Sequence, residues 1–285
     1  MFSPLFDMAD FYESLLELKR IGIPLMVVVA VAKEGAGPVD VGKKMVVAED
    51  GTAFGTVGGG AIEFYAKKKC VELMQKHENL LETYLLSEGK IIPETKTLPM
   101  ACGGRVTLFY EYVGPKEFVY IFGAGHVAKA LGYVLRTLGF YLIVIDDRQD
   151  VLDDYPYASE KHANQFVPFI DEVGIRENSM VVVSTPSHEY DYHVLNRILE
   201  KKIQLKYFGM LCSPSKLDDY LENTYKAFGN DLDLSDFYAP IGLDLGGNTP
   251  EEIAVSIASE MLAVSNQRPS GMHMRETRHG KYRYW

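Results

Sequence analysis

Residues equipped for chemistry fall into three groups along this chain. The first is a glycine turn, Gly123-Ala124-Gly125-His126, which follows the apolar run Val119-Tyr120-Ile121-Phe122 and precedes an apolar-striped stretch. Gly123 suits a tight turn, and Gly125 lets the backbone approach a phosphate. Ala128 holds the third-glycine position, where a small residue permits close helix–sheet packing. A second apolar run, 141–145, ends in Asp146, 23 residues after Gly123. That is about where an acid reaches a ribose hydroxyl. The order strand, glycine turn, helix, strand, acid is that of a mononucleotide-binding βαβ unit. The same glycines also serve a doubly wound sheet with no ligand, so the pattern speaks for the fold before it speaks for a ligand.

The second group is Gly58-Gly59-Gly60-Ala61-Ile62-Glu63, three glycines at the start of a helix pattern that runs to about His77. Unprotected amides and a positive dipole end make such a start an anion site. The alternative is a close backbone passage, with Glu63 only complementing the dipole. The third group is Cys102 in Pro99-Met100-Ala101-Cys102-Gly103-Gly104, where nearby amides favour a thiolate. Free cysteines are more often buried and inert, and Cys70, mid-helix, is read that way. His126 and His188 follow strand patterns whose loops converge on one crevice of a parallel sheet, together with Asp191, Lys216 and Cys212. Either histidine alone reads as a solvated helix-start residue, whereas the pair suits a ligand or phosphate contact.

The elements that must position these groups read as two domains. Residues 10–20 form an amphipathic helix, and 25–32 a β-branched run suited to a strand buried on both faces. A loop covers 33–40. Residues 44–48 and 52–57 form a hairpin around Glu49-Asp50-Gly51, and 79–86 and 105–113 are further strands. The polar break Gly114-Pro115-Lys116-Glu117 marks the boundary. Beyond it a helix at 127–138 stops at Gly139. Strands are expected at 165–169, 180–184 and 205–209, with helices after Ser187, after Lys216 and from Pro250. Thr249 as N-cap and Glu252 complete a capping box for the last helix, which runs to about Val264. The expected fold class is α/β: a C-terminal Rossmann-like doubly wound parallel sheet (115–264), a smaller N-terminal α+β domain (1–114), and a basic tail (265–285).

Bulk properties narrow the function. A net charge of −10 argues against a general nucleic-acid binder, which would rest on neutralising phosphates. No apolar run approaches the roughly 18 residues of a membrane span, and no signal peptide is evident, so a cytoplasmic protein is expected. Three cysteines, Cys70, Cys102 and Cys212, are too few and scattered for a disulfide framework or a four-ligand zinc site.

Taken in order, Gly55-Thr56-Val57-Gly58-Gly59-Gly60-Ala61-Ile62-Glu63, Cys102-Gly103-Gly104, Phe122-Gly123-Ala124-Gly125-His126-Val127, Asp146-Asp147-Arg148, Ser187-His188-Glu189-Tyr190-Asp191, Tyr207-Phe208-Gly209-Met210-Leu211 and Pro240-Ile241-Gly242-Leu243-Asp244 resemble the xanthine dehydrogenase accessory factors, the XdhC/CoxI family. The resemblance spans about residues 10–264. It implies a dimeric maturation chaperone more than a free-standing enzyme. Such a chaperone binds the molybdenum cofactor (molybdopterin), holds it while a cysteine desulfurase installs the terminal sulfur, and delivers it to a xanthine dehydrogenase-like molybdenum hydroxylase.

On that resemblance Gly58, Gly59, Gly60 and Glu63 handle the cofactor phosphate. Cys102, beside Gly103, contacts molybdenum or its sulfur. Gly123, Gly125, His126, Asp146 and His188 bind a nucleotide or the dinucleotide form of the cofactor, so that the Rossmann unit is half of a cofactor-handling cleft. Ala61 stands where many relatives carry a cysteine, leaving Cys102 as the sole motif thiol. Cys212 stands where a glycine is common and inherits no role. The runner-up is an NAD(P)-dependent oxidoreductase, with Asp146 favouring NAD, and it lacks a convincing acid–base group. A scaffold with a vestigial Rossmann site joining desulfurase and hydroxylase is the third reading.

Overall fold

The computed structural model describes residues 11–20, 22–87, 96–99, 103–229 and 232–268. The chain divides into two compact units, residues 1–115 and 116–285.

The first unit runs α1 (Phe11–Arg20), β1 (Leu25–Glu34), β2 (Lys44–Ala48), β3 (Ala53–Gly55), α2 (Gly60–Lys76), β4 (Leu80–Leu86), β5 (Lys96–Leu98) and β6 (Arg105–Val113). Its six strands lie in the order β3-β2-β1-β6-β4-β5, antiparallel except for the β4–β5 pair. The continuous apolar run of β1 feeds both faces. Met26, Val28 and Ala30 pack with the α2 stripe Ile62, Ala66, Cys70, Leu73 and Met74, while Leu25 and Val27 pack with Phe11 and Leu18 of α1. Each such large apolar side chain taken fully from water contributes about 1.5–3 kcal/mol. At the β2–β3 hairpin the Asp50 carboxylate accepts from the Thr52 amide at 2.8 Å, and Gly51 takes a positive φ of 81°. The 33–40 segment, expected as loop throughout, begins as strand, since β1 continues to Glu34 through its pairing with β6.

The second unit runs β7 (Phe118–Phe122), α3 (His126–Thr137), β8 (Tyr141–Asp146), α4 (Gln149–Asp153), β9 (Glu160–Ala163), α5 (Phe166–Glu172), β10 (Ser179–Val183), α6 (His188–Lys201), β11 (Leu205–Met210), α7 (Pro214–Phe228), β12 (Phe237–Tyr238) and α8 (Pro250–Ser265). All its strand pairs are parallel, in the order β12-β11-β10-β7-β8-β9. Counted from β7, this is the 3-2-1-4-5-6 order of a dinucleotide-binding sheet. Alternate residues supply two cores. Val119, Ile121, Leu142, Val144, Met180 and Val182 pack with α3 and α8. Tyr120, Phe122, Ile143, Ile145, Val181 and Val183 pack with α5 and α6.

One expected strand is not met. Residues 165–169 enter α5, because Phe166, Phe169 and Ile170 recur at helical spacing and bury one face. Pro168 sits in the first turn, where its missing N–H costs no helical bond. The strand of this stretch is β9, the polar edge segment Glu160–Ala163. The capping box of α8 is present: Thr249 Oγ1 accepts from the Glu252 amide, and the Glu252 carboxylate accepts from the Thr249 amide at 3.1 Å.

Candidate functional site

The carboxyl ends of β7 and β10 are neighbours, and their loops press together where the strand order reverses. Gly123 has φ +98°, and a Cβ placed on it would lie 2.3 Å from the Ser184 carbonyl oxygen, so both the turn and the close approach demand glycine. Gly125 differs. It is the N-cap of α3 with an ordinary φ of −69°, and among the described residues no atom beyond its chain neighbours lies within 4 Å of a Cβ placed there. The fold therefore explains Gly123 and leaves Gly125 facing open space. Among the described residues no side chain caps this end of α3, which leaves its first amides and the positive dipole end without a side-chain acceptor there. Behind the turn, Ala128 and Gly132 make room for Tyr155, whose hydroxyl donates to the Ala128 carbonyl at 2.7 Å.

Asp146 is fully buried and its carboxylate is already engaged. It accepts from the Ala124 amide at 2.8 Å, the Arg148 amide at 3.0 Å, and the Arg148 guanidinium through Nε and Nη2, each at 2.8 Å. Burial alone would raise its pKa. The hydrogen bonds from Arg148 and the two amides more than offset this and hold it below the usual carboxylate range. The sequence pattern predicts a free carboxylate presented to a ribose. What stands at the end of β8 is a clamp that ties the glycine loop to Arg148, with the exposed Asp147 between them. Arg148 is legible in the sequence only as part of the Asp-Asp-Arg triplet, because its pairing back onto Asp146 depends on the turn it makes.

His126 and His188 are the first residues of α3 and α6, and neither is buried. Asp191, one turn into α6, is buried, and its Oδ1 accepts from the Thr185 amide at 2.9 Å and the Thr185 hydroxyl at 2.7 Å. Burial raises its pKa, and the Thr185 hydrogen bonds and the charges of His188 and Lys216 offset this only in part. The half-buried Cys212 thiol is also pushed up, first by burial and then by the Asp191 charge. Asp191, His188, Lys216 and Cys212 thus share one field at the ends of β10 and β11. Among the described residues, no hydrogen bond or ion pair joins His126 to this group. Among them, too, no three His, Cys, Asp or Glu side chains are placed to hold a metal.

In the first unit, Gly58, Gly59 and Gly60 all take positive φ, from 62° to 122°. The Gly58 amide donates to Thr56 Oγ1 at 3.0 Å and the Gly59 amide to Glu63 Oε2 at 2.9 Å. The Thr56 hydroxyl also donates to Glu63 Oε2, at 2.9 Å. This helix start already holds an anion, its own Glu63 carboxylate, and an incoming phosphate must displace it. Cys102 lies outside the described residues. Gly103, beside it, donates its amide to the Leu86 carbonyl at 2.7 Å with φ +70°. A Cβ on Gly104 would meet the Ala36 carbonyl oxygen at 2.2 Å, and one on Gly58 would meet Val39 at 2.6 Å. The 34–40 segment therefore touches both glycine motifs and brings them to one end of the sheet. Cys70 is fully buried, and burial pushes its thiol up to about 12, as a structural cysteine requires.

These features define a two-unit protein: a Rossmann-type domain with an open glycine turn, and an α+β unit with its own glycine-opened helix. The model of the XdhC Rossmann domain matches residues 119–261, and that of the XdhC and CoxI family matches residues 18–84. The chain belongs to the XdhC and CoxI family. The uncharacterized protein YqeB of Escherichia coli K12 is 27% identical over 236 residues, 81% of this chain and 42% of that protein. A protein of Bacillus subtilis 168, described as a probable subunit of xanthine dehydrogenase, is 27% identical over 157 residues, 54% of this chain and 45% of that protein. The chain thus spans less than half the length of these curated relatives. A crystal structure described as a xanthine dehydrogenase from Bacillus halodurans aligns with 92% of this chain and 97% of that one, with TM-score 0.50 and 21% identity, a likeness of fold. Among the described residues no helix is long and apolar enough to cross a membrane.

Proposed function

We propose that this protein is a cytoplasmic chaperone that binds the molybdenum cofactor and assists its sulfuration and its insertion into a xanthine dehydrogenase-type hydroxylase. The observation that carries the reading is that both units match models of one family, together with a relative described as a probable xanthine dehydrogenase subunit. The partners are that hydroxylase, a cysteine desulfurase and a second copy of the chain.

The residues present fit the cofactor's phosphate. The uncapped start of α3 at Gly125 offers free amides and open space, whereas the start at Gly58–Gly60 accepts a phosphate only after Glu63 swings away. When bound, the cofactor supplies a metal–dithiolene centre able to take a terminal sulfur. Gly125 and the α3 amides would then hold the phosphate, with the Asp146–Arg148 clamp keeping the glycine loop rigid, and Cys102 is the motif thiol whose chemistry suits the metal or its sulfur. Soft metals and sulfur suit a thiolate neighbour. Replacement of Cys102 by serine should lower activation of the client hydroxylase while the variant still folds and binds nucleotide. Unchanged client activity removes Cys102 from the mechanism.

The strand order of the second unit also favours an NAD(P)-dependent oxidoreductase. The engaged Asp146 carboxylate counts against the NAD-selective form of that reading, since its oxygens are already taken by Arg148 and two amides. Hydride transfer from NADH or NADPH to carbonyl compounds above background would revive it.

A further inference from the structure

We propose that an apolar groove at the amino edge of the parallel sheet is the docking site of this chain's own basic, aromatic segment, residues 269–285. The proposal is independent of the cofactor reading, since the glycine turn lies at the opposite edge of that sheet.

The groove has a volume of about 460 Å³. Leu199 near the end of α6, Leu205 at the start of β11 and Phe228 at the end of α7 line it, with Leu234 and Phe237 from the segment entering β12. Each of these positions lies where a parallel strand begins or a helix returns to that end. The volume falls within the roughly 300–1,000 Å³ of pockets for drug-sized ligands, room for more than one aromatic ring. Among the described residues, the rim carries two exposed acids, Asp233 and Asp236, against one cation, Lys202.

Position is the first observation that names the occupant. The end of α8 is tied to this same edge, where Ser265 Oγ and Lys206 Nζ both donate to Oε1 of buried Glu117, each at 2.7 Å. Lys206 directly follows the groove residues Gln204 and Leu205. α8 packs on the other face of the sheet, so a segment leaving it must turn round the edge to enter the groove. Reach is no obstacle. The 13 residues from Arg268 to Lys281 span about 40 Å when extended, longer than the roughly 30 Å of a small domain.

Composition is the second. Residues 269–285 lie outside the described residues. They carry Arg275, Arg278, Lys281 and Arg283 against the single acid Glu276, in a chain whose net charge is −10. Lys281-Tyr282-Arg283-Tyr284-Trp285 joins three rings to two cations, the complement of an apolar floor with an acidic rim. Exposed ion pairs contribute little, so the rings must supply the affinity, each burying roughly 150–250 Å², and the charges favour this groove over a neutral one.

Trp285 is the chain's single tryptophan, so its fluorescence reports on this segment alone. The test measures Trp285 emission and its quenching by acrylamide in the full chain, beside a synthetic peptide of residues 269–285. Both are repeated with Phe228→Ala and with the double variant Asp233→Lys, Asp236→Lys. Docking predicts emission blue-shifted from that of the peptide and quenched several-fold less, with no change on dilution. Each variant should move emission and quenching toward the peptide values. The two acids are exposed, so their reversal should keep the wild-type melting curve and decides the matter if Phe228→Ala does not fold. Peptide-like emission and quenching in the wild-type chain overturn the proposal. So does protection that survives in the variants of wild-type melting curve. Protection lost on dilution, in step with dissociation of a dimer, assigns the segment to a second copy and also overturns docking within one chain.

Discussion

Asp146 and Asp191 are both buried acids at the carboxyl edge of the parallel sheet, and their surroundings drive them in opposite directions. Asp146, held low by Arg148 and two amides, contributes stability above the usual carboxylate range and loses it as pH falls through its depressed pKa. Asp191 is raised by burial, so the native state keeps its proton to higher pH than the unfolded chain does. Its contribution to stability therefore falls as pH rises from about 4, the unperturbed carboxylate value, through its raised native value. Asp191→Asn keeps the oxygen that accepts from Thr185 and should flatten that decline, as read by urea unfolding across the acid-to-neutral range. An unchanged slope would assign the decline to another group.

The two glycines of the turn give a second contrast. Gly123→Ala should destabilise the Rossmann unit by about 1–3 kcal/mol or more, since φ is positive and the new Cβ meets a carbonyl. Gly125→Ala should leave stability within about 0.5 kcal/mol and weaken phosphate binding. Titration of inorganic phosphate or AMP beside a melting curve separates the two. Equal thermal losses would mean that Gly125 also serves the fold. The roles of these glycines differ although their residue type does not. The difference lies in what surrounds them, which only the packing of the β7 and β10 loops reveals. Arg148's return onto Asp146 is hidden from the sequence for the same reason.

Among the elements, those with strong local signals are legible in the sequence, and those defined by their neighbours are not. The α8 capping box, the Asp50-Gly51 hairpin and the doubly buried β1 all follow from short-range chemistry. Replacing Thr249 by alanine should cost the Rossmann unit about 1 kcal/mol, the usual worth of an N-cap, measured as a lower urea midpoint at unchanged slope. No change would mean that Pro250 and the buried stripe suffice to start the helix. The strand β9, of sequence Glu160-Lys161-His162-Ala163, has no apolar alternation to announce it, since an edge strand is held by pairing with β8. Residues 165–169 read as a strand although they enter α5, because the four-residue apolar run Phe166–Phe169 carries too little length to separate a period of two from 3.6. The two-residue β12 exists only by pairing with β11.

At the scale of the whole molecule, two glycine-opened helices stand in different states. The start of α2 is closed by its own Glu63, and the start of α3 is open at Gly125. Family membership covers both units, and the proposed function names one residue to test in each, Gly125 at the start of α3 and the motif thiol Cys102. The central claim is that the chain carries the cofactor. It is tested most directly by purifying the protein without oxygen from cells that make the cofactor, then measuring molybdenum and the fluorescence of the oxidised pterin in the same sample. The account predicts that metal and pterin co-elute with the chain in equal amounts, and that both fall in Gly125→Ala and Cys102→Ser variants of wild-type stability. A chain that elutes free of both, from cells whose extracts contain the cofactor, would contradict it.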